Sequence, residues 1–180
     1  MKAWHFLRED MTAGNGNEPA WTVGETRSLP DDREIIPCEY GYHASPTAWD
    51  ALEYTPGPVL CLVEIDGDLH EHGSPVNKYA ARSRTLIAAI NVSRELREFA
   101  ADCAERALFR FEELYPDDNR PRRAIEVARE YARGAATDDE LESARSAAES
   151  AAWVAARSAA IGWQRQQFEQ RFAHLFSEFM

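Results

Sequence analysis

Hydrophobic residues change their spacing once along the chain, close to residue 92. Before that point, short apolar runs alternate with Gly, Pro, Asn and Asp, which is typical of strands and turns. KAWHFL predicts an opening strand at Lys2–Leu7, and VLCLVEI predicts a central strand at Val59–Ile65 because it is nearly all apolar. A short helix is predicted from Pro46 to Tyr54, since Ser45 suits an N-cap and Pro46 suits the first helical position.

Weaker apolar runs predict three further strands in the first half. They lie at Trp21–Val23, within Asp68–His72 and within Lys78–Ala89. The Asp-Gly pair at residues 66 and 67 predicts a chain reversal, so we expect Asp68–His72 to return beside the central strand. Residues 8–20 hold Gly, Asn and Pro and are predicted to be a turn-rich connection.

From Ser93 onwards the apolar residues recur with the 3.6-residue period of an amphipathic helix. Pro116 ends the first predicted helix, and Pro121 lies near the first position of a second helix. Gly134 is predicted to end that second helix. The buried stripe of the first helix is predicted to contain Leu96, Phe99, Ala100, Cys103, Ala107, Phe111 and Leu114.

A third helix is predicted to begin at Thr137. Thr137 and Glu140 have the spacing of a capping box, with acidic residues in the first turn, where the helix dipole favours them. The small residues that follow would let another helix approach closely, from the same chain or from a second copy. This seam consists of Leu141, Ala144, Ala148, Ala151, Ala155 and Ala159, and a bulkier stripe of Phe168, Phe172, Leu175 and Phe179 follows on a final helix.

These elements together predict an α+β fold. We expect a small, mostly antiparallel sheet with one short helix, followed by a C-terminal bundle of three to four helices. A chain of 180 residues is at the upper end of one domain, or forms two small ones. The change of period therefore predicts a sheet domain at residues 1–92 and a helical domain at residues 93–180.

The chain is acidic, with 20 Lys and Arg against 31 Asp and Glu and a formal net charge of −11. Nucleic-acid binding depends on Lys and Arg that displace counterions from phosphate, so this composition argues against direct contact with nucleic acid and fits a basic partner. No apolar run approaches the length of a membrane span, and no signal peptide is recognisable. Cys38, Cys61 and Cys103 have no metal-like spacing and are predicted to be reduced thiols, as in the cytoplasm of a bacterial host.

Two parts of the chain carry family patterns. In the N-terminal part, KAWHFL, GYHASPTAWDALEY, VLCLVEIDGDL and the segment with Arg82 and Arg84 together resemble an uncharacterised domain of phage and prophage proteins. Further on, CAERALFRFEELYPDDNRPRRAIEVAREYARG resembles the helical segment of immunity proteins of bacterial toxin systems. Its most specific feature, the Tyr-Pro-Asp-Asp-x-Arg-Pro-Arg corner, is intact from Tyr115 to Arg122. These resemblances imply a role in conflict between genomes, in which a small protein binds and neutralises another.

We therefore expect a non-enzymatic phage or mobile-element protein that binds and inhibits a macromolecular partner. Its role would be immunity-like or anti-defence, for example as an anti-CRISPR protein or another nucleic-acid mimic that blocks a basic channel. The expected partner is a protein with a basic surface, including a complex that itself binds nucleic acid. No catalytic residue, cofactor or metal is predicted. The residues expected to contact the partner are Asp117, Asp118, Asp138, Asp139 and Glu140. The corner that holds the first two is also explained by helix capping and ion pairs alone.

Three alternatives stay open. The order of His5, Tyr42, His43 and Glu64 resembles ADP-ribosyltransferases and would imply an NAD-consuming enzyme on the N-terminal sheet, although the usual His-Gly-Thr is absent. The small-residue seam from Ala144 to Ala159 would serve a dimeric structural or assembly factor. Finally, His70 and His72 lie on one face of an extended segment and would hold a divalent metal if His43 approached them.

Overall fold

The computed structural model describes residues 1–14, 18–155 and 161–180, with all their side chains except those of Arg110 and of residues 149–155, 161 and 162. The chain divides into two compact units, one of Met1–Val92 with Gln167–Met180 and one of Ser93–Gln166. Within the described residues, the strands all lie in the first unit and helices build the second. The predicted α+β fold class is therefore confirmed.

The larger sheet of the first unit is antiparallel, with the strand order β1-β4-β7-β2. Its strands are β1 (Lys2–Leu7), β4 (Val59–Asp66), β7 (Ser83–Asn91) and β2 (Thr26–Ser28). The apolar strand β4 is central, as predicted, and its first five residues are buried. The strand expected at Trp21–Val23 is wrong, since the strand forms a few residues later at β2, where it pairs with β7.

The two faces of this sheet pack against different partners. Cys61 and Val63 of β4 belong to one cluster with Trp21 and Tyr42. Trp4 of β1 faces the other way, because strand side chains alternate between faces, and its ring lies edge-on to Phe176 at a centroid distance of 5.1 Å. The sheet is therefore buried on both sides.

The C-terminal segment completes the core of this unit. The helix α5 (Ile161–Ala173) and the 3₁₀ turn His174–Phe176 contribute three phenylalanines that are fully buried, Phe168, Phe172 and Phe176. The sequence predicted Phe179 on this stripe, but Phe179 is 42% exposed. The stripe shifts because the tighter 3₁₀ turn after Ala173 rotates the following side chains.

A smaller antiparallel sheet has the order β3-β6-β5, formed by β3 (Tyr42–Ala44), β6 (Lys78–Ala81) and β5 (His70–His72). The strand β5 forms within the range predicted for it, but it pairs with β6 and not with the central strand. The helix α1 (Ala48–Leu52) begins after Thr47, whose hydroxyl accepts the Asp50 backbone N–H. It does not begin after Ser45, because the Ser45 backbone is bridged to Trp4.

The second unit begins with a helical hairpin of α2 (Ser93–Leu114) and α3 (Arg120–Ala132), followed by α4 (Asp138–Ala155). Two arginines of α3 join it to α2. Arg122 donates two hydrogen bonds to the Glu112 carboxylate, at 2.7 and 2.8 Å. Arg129 donates to Asp102 at 2.8 Å and to Glu105 at 2.7 Å. These charge-assisted bonds fix the register of the two helices.

The predicted stripe of α2 is partly wrong. Phe99 and Phe111 are buried, whereas Leu114 is 65% exposed at the end of the helix. Ala101 and Leu108, which the stripe omitted, are buried instead. In the Ala-rich seam of α4, Ala148 is buried. The predictions for the side chains of Ala151 and Ala155, and for Ala159 as a whole, lie outside what the structure describes. Dimerisation through this seam therefore stays a prediction.

Among the described helices, none combines the length and apolar character needed to cross a membrane. The division into a sheet domain at residues 1–92 and a helical domain at residues 93–180 stays a prediction. The compact units group residues 167–180 with the sheet, because their phenylalanines fill its core.

Candidate functional site

The corner between α2 and α3 carries Asp117 and Asp118, two of the residues expected to contact a partner. The Asp118 carboxylate accepts hydrogen bonds from the Arg120 side chain at 2.6 and 2.8 Å and from the Arg120 backbone N–H at 3.1 Å. These bonds lower the pKa of Asp118 to about 2. Asp117 is exposed, and its side chain forms no ion pair with a described residue. Asp118 therefore has a role in the local structure, whereas Asp117 forms no comparable bond with a described residue.

The start of α4 carries the other three acidic residues. The Thr137 backbone N–H donates to the Glu140 carboxylate at 2.8 Å, and the Glu140 N–H donates to the Thr137 hydroxyl at 3.3 Å, which confirms the predicted capping box. These bonds lower the pKa of Glu140. Asp138 accepts a hydrogen bond from Tyr131, which raises the pKa of that phenol. Asp139 is exposed and has no ion pair within the described part of the chain.

The helix α3 separates these two acidic groups. It has 13 residues, which at 1.5 Å per residue corresponds to a length of about 20 Å. It ends as predicted at Gly134, whose φ of +73° allows Ala135 to donate to the Glu130 carbonyl at 2.8 Å. The structure therefore places the predicted partner-binding residues in two clusters at opposite ends of α3: a corner cluster of Asp117 and Asp118, and a cap cluster of Asp138, Asp139 and Glu140.

An apolar groove of about 630 Å³ lies between α2, α3 and α4 in the second unit. Leu108, Ile125 and Leu141 are among its lining residues, and Arg97 and Arg145 also border it. None of the residues of the corner cluster or the cap cluster lines this groove. It is a separate feature of the helical unit.

The first unit contains a more polar cleft of about 710 Å³. It brings together His5 of β1 with Tyr42 and His43 of β3, three residues that the sequence singled out in the transferase alternative. It also contains ionisable residues that the sequence did not assign to a site. These are Glu18, Cys38, Glu39, Glu53, Tyr54, Lys78 and Arg84.

Arg84 of β7 is the most buried charged residue of the cleft, with 3% exposure. Its guanidinium lies over the rings of Trp21, at 4.4 Å, and Tyr42, at 5.2 Å. Among the described residues, its hydrogen-bond acceptor is the His43 carbonyl oxygen at 2.9 Å, and it forms an ion pair with Glu18 at 3.9 Å. Burial lowers the pKa of Arg84 to about 10.

His43 is held as a neutral imidazole. Its Nε2 accepts the backbone N–H of Cys38 at 2.9 Å, so the ring proton belongs on Nδ1. Burial, followed by the charges of Lys78 and Arg84, lowers the pKa of His43 to about 4. The pKa of His5 lies well below its usual range for similar reasons, chiefly burial and then Arg84. Both imidazoles are therefore uncharged at neutral pH.

The transferase arrangement is not assembled. His5 is opposite Cys61 and Lys2 is opposite Glu64 in the β1–β4 pairing, so His5 and Glu64 point to opposite faces of the sheet. Glu64 is exposed and lies 4.0 Å from the N-terminal amine. The metal site proposed for His43, His70 and His72 is not formed either. The described residues contain no group of three or more His, Cys, Asp or Glu that would hold a metal ion.

Sequence reasoning missed the role of Arg84. The only signal is its position in β7, where it alternates with half-buried Ser83 and Thr85 and shares the inward side with Leu86. An arginine on the apolar side of a strand indicates a buried cation. Glu18 and Lys78 carry no such signal, because only the tertiary fold brings their separate segments to the cleft.

Two family models match the chain. One, described as Domain of unknown function (DUF7666), matches residues 1–98, and the other, described as Imm-5 like putative immunity protein, matches residues 87–169. These matches confirm the resemblances of the N-terminal and the helical part. The second supports an immunity-like role with a protein partner. A search of curated proteins and a search of solved structures each find no match. Because the first model covers more than half of the 180 residues, the chain belongs to the family Domain of unknown function (DUF7666).

Proposed function

We propose that this chain is a non-enzymatic protein that binds and inhibits a protein partner with a basic surface, in an immunity-like or anti-defence role in the bacterial cytoplasm. The observation that carries the proposal is the match of residues 87–169 to the Imm-5 like immunity proteins. The proposed contact residues are the two acidic clusters at the ends of α3. A nucleic-acid-mimicking inhibitor, such as an anti-CRISPR protein, is the sharper form of this proposal.

The charge distribution of the hairpin supports this choice. The arginines that follow the corner all have acidic partners within the second unit: Arg120 with Asp118, Arg122 with Glu112, and Arg123 with Glu126 and Glu130. Their charges are therefore largely offset. Asp117 and Asp139 are exposed and form no ion pair with a described residue. Acidic side chains of this kind act mainly on association rate and specificity, by attracting a basic surface.

Each cluster contains one acidic residue with local hydrogen bonds and one without them. Asp118 and Glu140 hold local hydrogen bonds, so replacing them would disturb the helix ends as well as the surface charge. Asp117 and Asp139 carry no such bonds to described residues, and they isolate the effect of charge. The informative variant is therefore Asp117→Asn with Asp139→Asn, which removes two charges and keeps the side-chain shape.

The test uses the full chain. A tagged version is cross-linked in a bacterial host, captured partners are identified by mass spectrometry, and each is purified for a binding titration. At one charge pair per aspartate, worth about 0.2–1 kcal/mol, the double variant is expected to weaken binding about 2- to 30-fold. The matched control is Glu9→Gln with Glu71→Gln, which removes two exposed acidic charges from the first unit. Binding should also weaken as salt rises.

The proposal fails if no captured protein binds the purified chain saturably. Its acidic part fails separately if the double variant and the control bind alike, or if the affinity is unchanged between about 0.05 and 0.5 M salt. An interface mapped to neutral or basic residues would have the same consequence.

A further inference from the structure

We propose that the polar cleft of the first unit binds a small molecule through its carboxylate or phosphate group, with Arg84, Lys78 and His43 as the recognising residues. This inference is independent of partner binding, because both acidic clusters lie in the other unit and none of their residues lines the cleft. The volume of about 710 Å³ is in the range of cavities that hold small-molecule ligands.

The buried guanidinium of Arg84 has no hydrogen-bonded carboxylate among the described residues. A guanidinium buried to 3% exposure is normally matched by a hydrogen-bonded carboxylate, since an unmatched buried charge is costly. Here the nearest carboxylate oxygen, from Glu18, is 3.9 Å away, beyond hydrogen-bonding distance, and that oxygen already accepts the Trp21 indole N–H at 3.0 Å. One donor of Arg84 is used by the His43 carbonyl oxygen. No hydrogen bond to a described residue uses its other donors, and we assign these to the anion.

Lys78 and His43 supply further donors on the cleft wall. The Lys78 ammonium lies 3.3 Å from the centre of the Tyr54 ring and 3.6 Å from the Cys38 sulfur, and neither partner is a carboxylate. His43 accepts the Cys38 N–H at Nε2, which leaves Nδ1–H as a donor. Three donor groups from β3, β6 and β7 thus border one cavity.

Both cations act on the imidazoles of the cleft. After burial, the charges of Lys78 and then Arg84 lower the pKa of His43, and the charge of Arg84 lowers the pKa of His5. The buried Nε2 of His5 has no hydrogen-bond partner among the described residues, and such orphaned atoms beside a cavity are frequently satisfied by a ligand or water.

The carboxylates that line the cleft do not cancel this arrangement. Glu53 accepts a hydrogen bond from Asn77 at 3.2 Å, and Glu18 is bound by the Trp21 indole. Glu39 is exposed. Glu18 forms an ion pair with Arg84 at 3.9 Å, but none of these acids forms a hydrogen bond to Arg84 or Lys78. A ligand anion would therefore supply the hydrogen-bonding acceptor that these carboxylates do not.

The test titrates the full chain with inorganic phosphate, citrate, adenosine monophosphate and uncharged adenosine, using calorimetry and the imidazole ¹⁵N signals of His43. We expect at least one of the three anions to bind saturably with a Kd below about 1 mM and to raise the pKa of His43. A preference for phosphate or adenosine monophosphate over citrate would identify a phosphate site, and the reverse a carboxylate site.

Lys78→Met is the chosen variant because Lys78 is only half-buried, so its replacement disturbs the fold less than a change at Arg84. Loss of one charged hydrogen bond is expected to weaken binding of the anion about tenfold or more. The control Arg133→Met removes an exposed positive charge outside the cleft and should leave affinity unchanged. The inference is overturned if no anion binds saturably, if both variants weaken binding equally, or if adenosine binds as tightly as its monophosphate.

Discussion

Replacing Phe172 with alanine tests whether the C-terminal segment belongs to the core of the sheet unit. Phe172 has 0% exposure and its ring stacks on Phe168 at a centroid distance of 4.2 Å. Phe168 in turn meets Trp49 of α1 edge-on at 5.5 Å. Removing the ring takes away this contact and leaves a cavity in the core of the first unit. We expect Phe172→Ala to lower the free energy of unfolding by about 3–5 kcal/mol.

That loss is large beside the 5–15 kcal/mol by which a typical domain is stable. It is measured by urea unfolding followed by tryptophan fluorescence, because Trp4 and Trp49 both contact the C-terminal phenylalanines. Phe179→Ala is the matched control: it removes the same ring at a position that is 42% exposed, and it should cost less than about 1 kcal/mol.

Deleting residues 167–180 extends the same test. The deletion removes Phe168, Phe172 and Phe176 together, all of them fully buried, so the sheet unit should not fold cooperatively without them. The reasoning is refuted if Phe172→Ala and Phe179→Ala destabilise the protein equally, or if the chain of residues 1–166 unfolds with the stability of the intact protein.

Two other perturbations follow from the structure. The unfolded chain takes up a proton at His43 near its ordinary pKa of 6.5, whereas the folded chain does so only near pH 4, so stability should fall as the pH drops from about 6.5 to 4; urea unfolding at pH 7 and pH 5 measures the fall, and His43→Gln should reduce it. An unchanged stability across this range would contradict the burial argument. Thr137→Ala should cost about 1 kcal/mol through loss of the α4 cap, while Thr137→Ser, which keeps the hydroxyl, should cost little in the same thermal-unfolding measurement; equal losses would show that the cap is not responsible.

Local chemistry made the helix ends predictable. The capping box at Thr137 and the stop at Gly134 depend on a few consecutive residues, and both form as the sequence indicates. The central strand was predictable because an almost wholly apolar run has few alternatives. Ser45 shows where this reasoning stops: it is a good N-cap by type, but pairing with the backbone of Trp4, far away in sequence, takes its N–H and carbonyl instead.

The cleft was less predictable for the same reason. His5, Tyr42 and His43 attracted attention by residue type, and the fold does bring them to one cavity. Their assumed partner Glu64 was misplaced, because the strand alternation that determines its face becomes known only with the β1–β4 register. Arg84 and Lys78, which define the charge of the cleft, come from strands of two different sheets, and no local pattern links them.

The corner from Tyr115 to Arg122 shows how one motif meets both structural and binding demands. Asp118 holds Arg120 within the turn, and Arg122 reaches back to Glu112 of the preceding helix, so these residues are explained by folding alone. Folding does not explain Asp117, which is exposed and has no ion pair with a described residue. A partner that binds this corner through Asp117 would therefore depend on a residue whose replacement leaves the hairpin intact. Binding and stability can thus be separated by experiment at this corner. Asp117→Asn should weaken the binding of a basic partner without changing the unfolding midpoint, whereas Asp118→Asn should lower that midpoint.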